Sequence, residues 1–120
     1  MFGLTAQTKV YVQLAPIDFR KSINGLSALV EQALQLSCLQ DACFVFRNRR
    51  CDKVKFLRWE RNGFWLFYKR LEADRFVWPK QDAVVVPLTW QQLQWLLSGI
   101  DLRAMHGHPE RYYAQASKYL

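Results

Sequence analysis

Cysteines, glycine–proline stretches and long apolar runs are all scarce in this sequence. Among 120 residues there are three cysteines, five glycines and four prolines. The small, odd number of cysteines argues against a disulfide framework, and the low glycine and proline content argues against a disordered chain. No apolar run is long enough to cross a bilayer, and the N-terminal segment lacks the pattern of a signal peptide. These absences predict a cytoplasmic protein with a packed core of its own and no contact with a membrane.

Motifs for catalysis and for metal binding are missing as well. The sequence has no nucleophile elbow, no phosphate-binding glycine loop and no H-E-x-x-H motif, and its acids are scattered. His106-Gly-His108 lies on a polar tail, and the spacing of Cys38, Cys43 and Cys51 matches no standard zinc pattern, so a metal site is the weaker interpretation. We predict buried, reduced thiols in a protein that is not an enzyme and takes no cofactor and no metal.

Positive charge is what the sequence has in excess. There are 17 Lys plus Arg against 10 Asp plus Glu, a formal net charge of +7. The segment 47–80 contains eleven of the cations and four of the acids, so it carries the whole excess. A local excess of one sign attracts polyanions. The distribution therefore favours nucleic acid as a partner.

Two periodicities divide the chain into strands and helices. Period-two alternation predicts strands at 9–14, 42–46, 53–61 and 64–72, with one or two short strands at 76–79 and 83–86. An apolar stripe predicts one helix capped by Asp18, and Thr89 with Gln92 has the capping-box spacing that starts a second. The order predicts an α+β fold, a mostly antiparallel twisted sheet of five to six strands with two main helices gathered on one face. We assign 1–104 to this single domain and 105–120 to a tail that is either disordered or a short docked helix.

The segment KFLRWERNGFWLFYKR, from Lys55 to Arg70, combines six aromatic residues with five cations. Asn62-Gly63 predicts a hairpin with a type I′ turn, because that turn needs positive φ at both central residues. Trp59 would then lie on an apolar face, while Arg58 would face Phe67 on a mixed, solvent-facing surface of cations and rings. Such a surface suits nucleic acid, since cations neutralise phosphates and rings stack on unpaired bases. Pairs of cations and rings also occur on ordinary solvated sheets.

The candidate DNA-binding residues are the cations of this hairpin and of the adjoining loops, with phosphate contact as their predicted role: Arg47, Arg49, Arg50, Lys55, Arg58, Arg61, Lys69, Arg70 and Arg75. Trp65 and Phe67 are candidate platforms for base stacking. The alternative is an adaptor surface that binds another protein through exposed Trp and Tyr anchors flanked by Arg.

Three blocks of the sequence are similar to one known family. They read DFRKSINGLSALV at 18–30, FVFRNRRCDKVKFLRWERNGFWLFYKRLEADRFVWP at 44–79, and LTWQQLQWLLSGIDLR at 88–103. With these blocks the chain resembles the TnpB accessory proteins of the insertion-sequence 66 family of bacterial mobile elements. The family pattern has glycine near the turn positions that Cys51, Ala73 and Asp74 occupy here.

The resemblance implies a role beside a separate DDE-type transposase in the movement of the element. The partners it implies are DNA, either the element ends or the target, together with the transposase and other element-encoded proteins. The adaptor alternative would bind the transposase without contacting DNA. The sequence is also compatible with a homodimer.

Overall fold

The computed structural model describes residues 4–105. The elements follow the order β1 (Lys9–Gln13), α1 (Ile23–Gln32), β2 (Ala42–Arg47), β3 (Lys53–Glu60), β4 (Gly63–Arg70), β5 (Val85–Leu88), α2 (Trp90–Leu97) and α3 (Leu102–Met105). One five-stranded sheet runs in the order β4-β3-β2-β1-β5. Only the β1–β2 pair is parallel, and the other three pairs are antiparallel. The predicted α+β class, with a mostly antiparallel sheet and two main helices, is confirmed.

The two main helices cover opposite faces of the sheet, so the prediction that they gather on one face is wrong. Leu26 and Val30 of α1 belong to a core cluster that includes Phe44 of β2. Leu93 of α2 belongs to the other cluster, which includes Val45 of the same strand. The reason lies in β2, where every residue from Ala42 to Phe46 is buried. A strand that is apolar on both sides needs cover on both faces.

The start of α2 follows the local signals, whereas the start of α1 does not. Thr89 Oγ1 accepts from Gln92 N at 3.0 Å and Gln92 Oε1 accepts from Thr89 N at 2.9 Å, which completes the predicted capping box. The first helix begins instead after Ser22. The carboxylate of Asp18 accepts from Arg20 N at 3.0 Å and binds the Arg20 guanidinium at 2.6 Å, in the loop that precedes Ser22.

The β3–β4 hairpin forms, but its register differs by two residues from the prediction. Glu60 pairs with Gly63, so Arg61 and Asn62 make the turn, and Arg61 has a φ of 55°. This register places the Phe56 and Phe67 rings 4.7 Å apart across the strands. The same register pairs Trp59 with Phe64, whose rings are 5.1 Å apart, and cross-strand aromatic pairs contribute roughly 0.2–1 kcal/mol each. Because the side-chain period is two, the shift leaves each residue on its predicted face.

Of the one or two short strands predicted at 76–79 and 83–86, the structure has one, at Val85–Leu88, and segment 76–79 forms no strand. The segment is held by two hydrogen bonds. Phe76 N donates to the Cys51 carbonyl at 2.8 Å, and Trp78 Nε1 donates to the Gln13 carbonyl at 2.9 Å. Both rings are buried in the core beneath α2. The segment therefore crosses the end of the sheet and packs beside the β2–β3 loop.

No helix among residues 4–105 is long and apolar enough to span a membrane. The predicted tail at 105–120 lies outside the described residues except for Met105, which ends α3.

Candidate nucleic-acid interface

The loop from Asn48 to Asp52, between β2 and β3, is built around one buried amide. Asn48 Oδ1 accepts from Asp52 N at 3.1 Å and from Lys53 N at 3.0 Å, and Asn48 Nδ2 donates to Asp52 Oδ1 at 2.6 Å. The hydrogen bond from the Asn48 amide, together with the nearby Arg50 charge, lowers the pKa of the Asp52 carboxyl. The amide thus fixes the loop and presents Arg49 and Arg50 to solvent at its tip.

Left-handed backbone conformations occur where the family pattern suggested glycine. Cys51 has a φ of 59° and Asp74 a φ of 66°. The turn at Cys51 is closed by its own N–H, which donates to the Asn48 carbonyl at 3.2 Å. Because the Cys51 carbonyl also accepts from Phe76 N, the segment that follows Asp74 is held against the loop. This contact brings Arg75 to the same place as the loop arginines.

These segments enclose an open, shallow cleft of about 480 Å³, which we call the arginine cleft. Among the described residues that line it, six are cations and none is a carboxylate. The residues that line it are Arg47, Arg49, Arg50, Cys51, Arg75, Phe76, Val77, Trp78, Pro79, Lys80 and Arg103. Four of the nine predicted DNA-binding cations therefore lie together here.

Two of the six cations of the arginine cleft have identified partners within the fold. Arg103 binds Asp101 at 3.2 Å, and Arg47 Nε donates to the Leu14 carbonyl at 3.0 Å. Within residues 4–105, the exposed side chains of the remaining four make no salt bridge: Arg49, Arg50, Arg75 and Lys80. Uncompensated like charges around one concave surface create a positive potential that attracts anions.

Cys51 supplies no nucleophile to the arginine cleft. Burial of its side chain raises the pKa of the thiol, and this outweighs the opposite effect of Arg47 and Arg75. The thiol therefore stays protonated at neutral pH, and the thiolate is the reactive form of cysteine. What the cleft offers chemically is the binding of anions.

Three hairpin cations that were predicted to contact DNA bind groups of the fold itself. Lys55 is only 8% exposed, and its Nζ donates to the carbonyls of Phe19 and Lys21, each at 2.7 Å. Burial lowers the pKa of this ammonium group. Arg58 is 7% exposed and binds the Asp41 carboxylate at 3.0 Å.

The third is Lys69, whose Nζ donates to the Leu97 carbonyl at 2.7 Å, at the C-terminal end of α2. A cation at this end stabilises the helix through its dipole. The predicted mixed, solvent-facing surface of the hairpin is therefore covered only in part, since Phe56 and Arg58 are buried on that face whereas Trp65 and Lys69 are exposed. Arg58, which was expected to be exposed there, lies within the fold instead.

The other predicted hairpin residues lie apart from the arginine cleft. Arg70 is paired with Glu72 at 2.8 Å, and Arg61 is exposed in the turn at the far end of β3. Trp65 is 54% exposed and donates from Nε1 to Glu60 at 2.8 Å, with its ring stacked on Phe67 at 6.0 Å. Phe67 itself packs against the core. Only the Trp65 ring, of the two stacking candidates, has a largely open surface.

Sequence reasoning missed two cations of the arginine cleft. Lys80 contributed to the charge excess of segment 47–80 but was not selected, and Arg103 lies outside that segment altogether. The charge count could have pointed to Lys80. The packing of α3 against α2 accompanies the placement of Arg103 at the cleft, which no local sequence signal indicates. Among the described residues, no group of three or more His, Cys, Asp or Glu side chains could hold a metal ion.

Comparison with known proteins identifies the family. The model of the family described as "IS66 Orf2 like protein" matches residues 8–107. The chain is 33% identical over 101 residues to uncharacterized protein y4jC of Sinorhizobium fredii, covering 84% of this chain and 86% of the relative. It is 35% identical over 102 residues to uncharacterized protein y4hO of the same organism, covering 85% of each chain. No solved structure matches the chain.

The matched region contains all five strands and both main helices of the fold. It also contains every residue that lines the arginine cleft. The family and the resemblance seen in the three sequence blocks agree, which points to an accessory role in the transposition of an insertion sequence. The chain belongs to the IS66 Orf2-like family.

Proposed function

We propose that the protein is a non-enzymatic accessory factor of transposition that acts in the cytoplasm and binds DNA through the arginine cleft. The observation that supports this most strongly is the set of four exposed cations that make no salt bridge within residues 4–105. Arg49, Arg50, Arg75 and Lys80 surround one concave surface. Their role in the proposal is to neutralise successive phosphates and release counterions.

Contacts of this kind position a protein on DNA without reading its sequence. The guanidinium groups suit the task because each can bind two phosphate oxygens at once. The DNA would be an element end or the target site, and the element's separate DDE-type transposase would act on the same DNA. Lys55, Arg58 and Lys69 are left out of the proposed contact set, because each donates to a group within the fold.

The salt dependence of DNA affinity tests this proposal. Binding of the full chain to a duplex would be followed by fluorescence anisotropy at several salt concentrations. For each phosphate contact, log affinity falls with log salt with a slope of about −0.9. Changing Arg49→Ala and Arg50→Ala together should therefore weaken binding and flatten the slope by about 1.8. Thermal unfolding should be nearly unchanged, since neither side chain is buried.

Lys9→Ala with Lys21→Ala is the matched control, because it removes the same charge from exposed residues outside the cleft. It should lower the salt slope much less. If both double variants lost the same affinity, the binding would reflect net charge alone and the arginine cleft would not be its site. A native protein that binds neither duplex nor single-stranded DNA at low salt would contradict the proposal outright. Duplexes of element-end and unrelated sequence should bind alike.

The adaptor alternative has an observation of its own. Trp65 and Tyr68 are each 54% exposed, and both lie on β4, which is an outer strand of the sheet. Exposed aromatic residues are frequent anchors of protein–protein interfaces. A pull-down of free transposase that survives nuclease treatment, and that is lost in Trp65→Ala, would support the adaptor. The DNA-binding proposal predicts instead that nuclease abolishes the association.

A further inference from the structure

A second, smaller cavity adjoins the arginine cleft. It has a volume of about 100 Å³ and is partly open to solvent. The two share a wall made of Val77, Trp78, Pro79, Lys80 and Arg103. A ligand that crosses this wall would contact the cations on one side and the smaller cavity, which we call the inner cavity, on the other.

The linings of the two sites differ in chemistry. The inner cavity has mostly apolar walls, formed by Val77, Trp78, Pro79, Val86, Leu88 and Leu102. Its polar groups include the exposed amide of Gln81 and the carboxylate of Asp101, which binds Arg103. Apolar walls with a few polar groups are typical of sites for small organic rings.

The size of the inner cavity limits what can enter. Sites for drug-sized ligands occupy roughly 300–1,000 Å³, whereas a dry cavity of about 150 Å³ holds one benzene ring. A partly open cavity of about 100 Å³ therefore suits a single flat ring that keeps one edge in solvent. A nucleotide joins such a ring to a phosphate, and the arginine cleft next door is suited to the phosphate.

We infer that the DNA ligand is single-stranded, with one unpaired base in the inner cavity and its flanking phosphates in the arginine cleft. This deepens the proposed function and rests on it. A base within a duplex is stacked and paired, so it cannot enter a cavity unless it is extruded. The Gln81 amide can both donate to and accept from the edge of an unpaired base.

Three oligomers of about 12 nucleotides, within the usual range of single-strand site sizes, would test the inference. They are a thymidine single strand, an abasic strand with the same number of phosphates, and a duplex of the same length. The full chain should bind the thymidine strand about tenfold or more tightly than the abasic strand, because an ordered base adds stacking and apolar contacts. It should also prefer the single strand to the duplex.

Val77→Phe would place a larger side chain in the wall that the inner cavity shares with the arginine cleft, and would narrow the inner cavity. Val84→Phe is the matched control, since Val84 is exposed and lines neither site. Val77→Phe should abolish the preference for the base-bearing strand but retain binding of the abasic strand. Gln81→Ala should reduce the preference by a smaller factor, and Gln91→Ala, on the exposed side of α2, should leave it unchanged.

Equal affinity of the native protein for thymidine and abasic strands would overturn the inference while leaving phosphate binding by the cleft intact. A preference for the duplex would overturn it in the same way. If the preference disappeared in Trp65→Ala and persisted in Val77→Phe, the base would stack on the outer strand instead. Absence of binding to all three oligomers would contradict the proposed function itself. The comparison of strands on the native protein decides the question even if Val77→Phe does not fold.

Discussion

The cations of the β3–β4 hairpin and five of the six cations of the arginine cleft come from the same basic segment, 47–80, yet several of them have different environments in the fold. Lys55 and Lys69 of the hairpin donate to backbone carbonyls of other elements. Arg49 and Arg75 of the cleft are exposed, and within residues 4–105 they make no salt bridge. Charge density along the chain is therefore a poor guide to charge available at the surface. The deciding factor is whether another element of the fold covers the strand.

Removing a hairpin cation should give the largest change in stability. Lys55→Met keeps the apolar stem but leaves two carbonyls without their charged donor. Hydrogen bonds to charged groups contribute about 1.5–3 kcal/mol, so we expect a loss of about 2–3 kcal/mol in the free energy of unfolding, measured by urea denaturation. Lys9→Met, at an exposed position, should change it by less than about 0.5 kcal/mol. A destabilisation by Lys55→Met no larger than that of the control would mean that the hairpin cations are not structural.

Replacing each of the two tryptophans of the hairpin should also change stability by different amounts. Trp59 is half-buried with its ring 5.1 Å from that of Phe64, whereas Trp65 is 54% exposed. We expect Trp59→Ala to cost about 2 kcal/mol, below the range for fully buried aromatic residues, and Trp65→Ala to cost less than about 1 kcal/mol. If chemical denaturation gave equal losses of unfolding free energy for both variants, Trp59 could not be the more deeply packed of the two residues.

Removing one cleft cation should affect DNA and leave stability alone. Arg75→Ala takes away an exposed guanidinium that makes no salt bridge within the described residues. We expect the log–log salt slope of duplex binding to decrease in magnitude by about 0.9, with the unfolding midpoint unchanged. A marked loss of stability would mean that Arg75, like Lys55, stabilises the fold. The cleft cations would then not differ from the hairpin cations in role.

The smallest expected effect concerns the turn that precedes Arg75. Asp74 is exposed with a φ of 66°, a conformation that glycine adopts without strain. Asp74→Gly should raise the free energy of unfolding by up to about 1 kcal/mol and, by removing an acid near the cleft, slightly raise DNA affinity. Asp82→Gly is the control, because Asp82 is also exposed but has no positive φ. It should be neutral or destabilising, and equal changes in both variants would refute the strain argument.

Local signals in the sequence were sufficient for most of the elements. The capping box at Thr89 and the alternation through β3 and β4 predicted α2 and the hairpin. The turn of the hairpin was predicted incorrectly: Arg61 and Asn62 form it in place of Asn62-Gly63, and the register found pairs Phe56 with Phe67 across the strands. The helix predicted to be capped by Asp18 begins after Ser22, and the Asp18 carboxylate binds Arg20.

The candidate site was predictable only in part. The loop arginines were chosen from the charge count, and the fold gathers Arg49, Arg50 and Arg75 around one cleft. The burial of Lys55 and Arg58 could not be predicted, because the carbonyls and the carboxylate that bind them lie 17 to 36 residues away in the chain. Arg103 was missed for the same reason. Contacts at such separations depend on how the elements pack.

By itself, the sequence determined the α+β class, the excess of positive charge in segment 47–80 and the family to which the chain belongs. These features follow from local periodicity, from composition and from three blocks of sequence that resemble one family. None of them depends on which residues meet in space. The tertiary structure alone decided that the helices cover both faces of the sheet, that Lys55 and Arg58 of the hairpin are buried, and that four exposed cations meet around the arginine cleft. The physical reason is that burial and charge pairing depend on neighbours in space, and a strand apolar on both sides had to be covered twice.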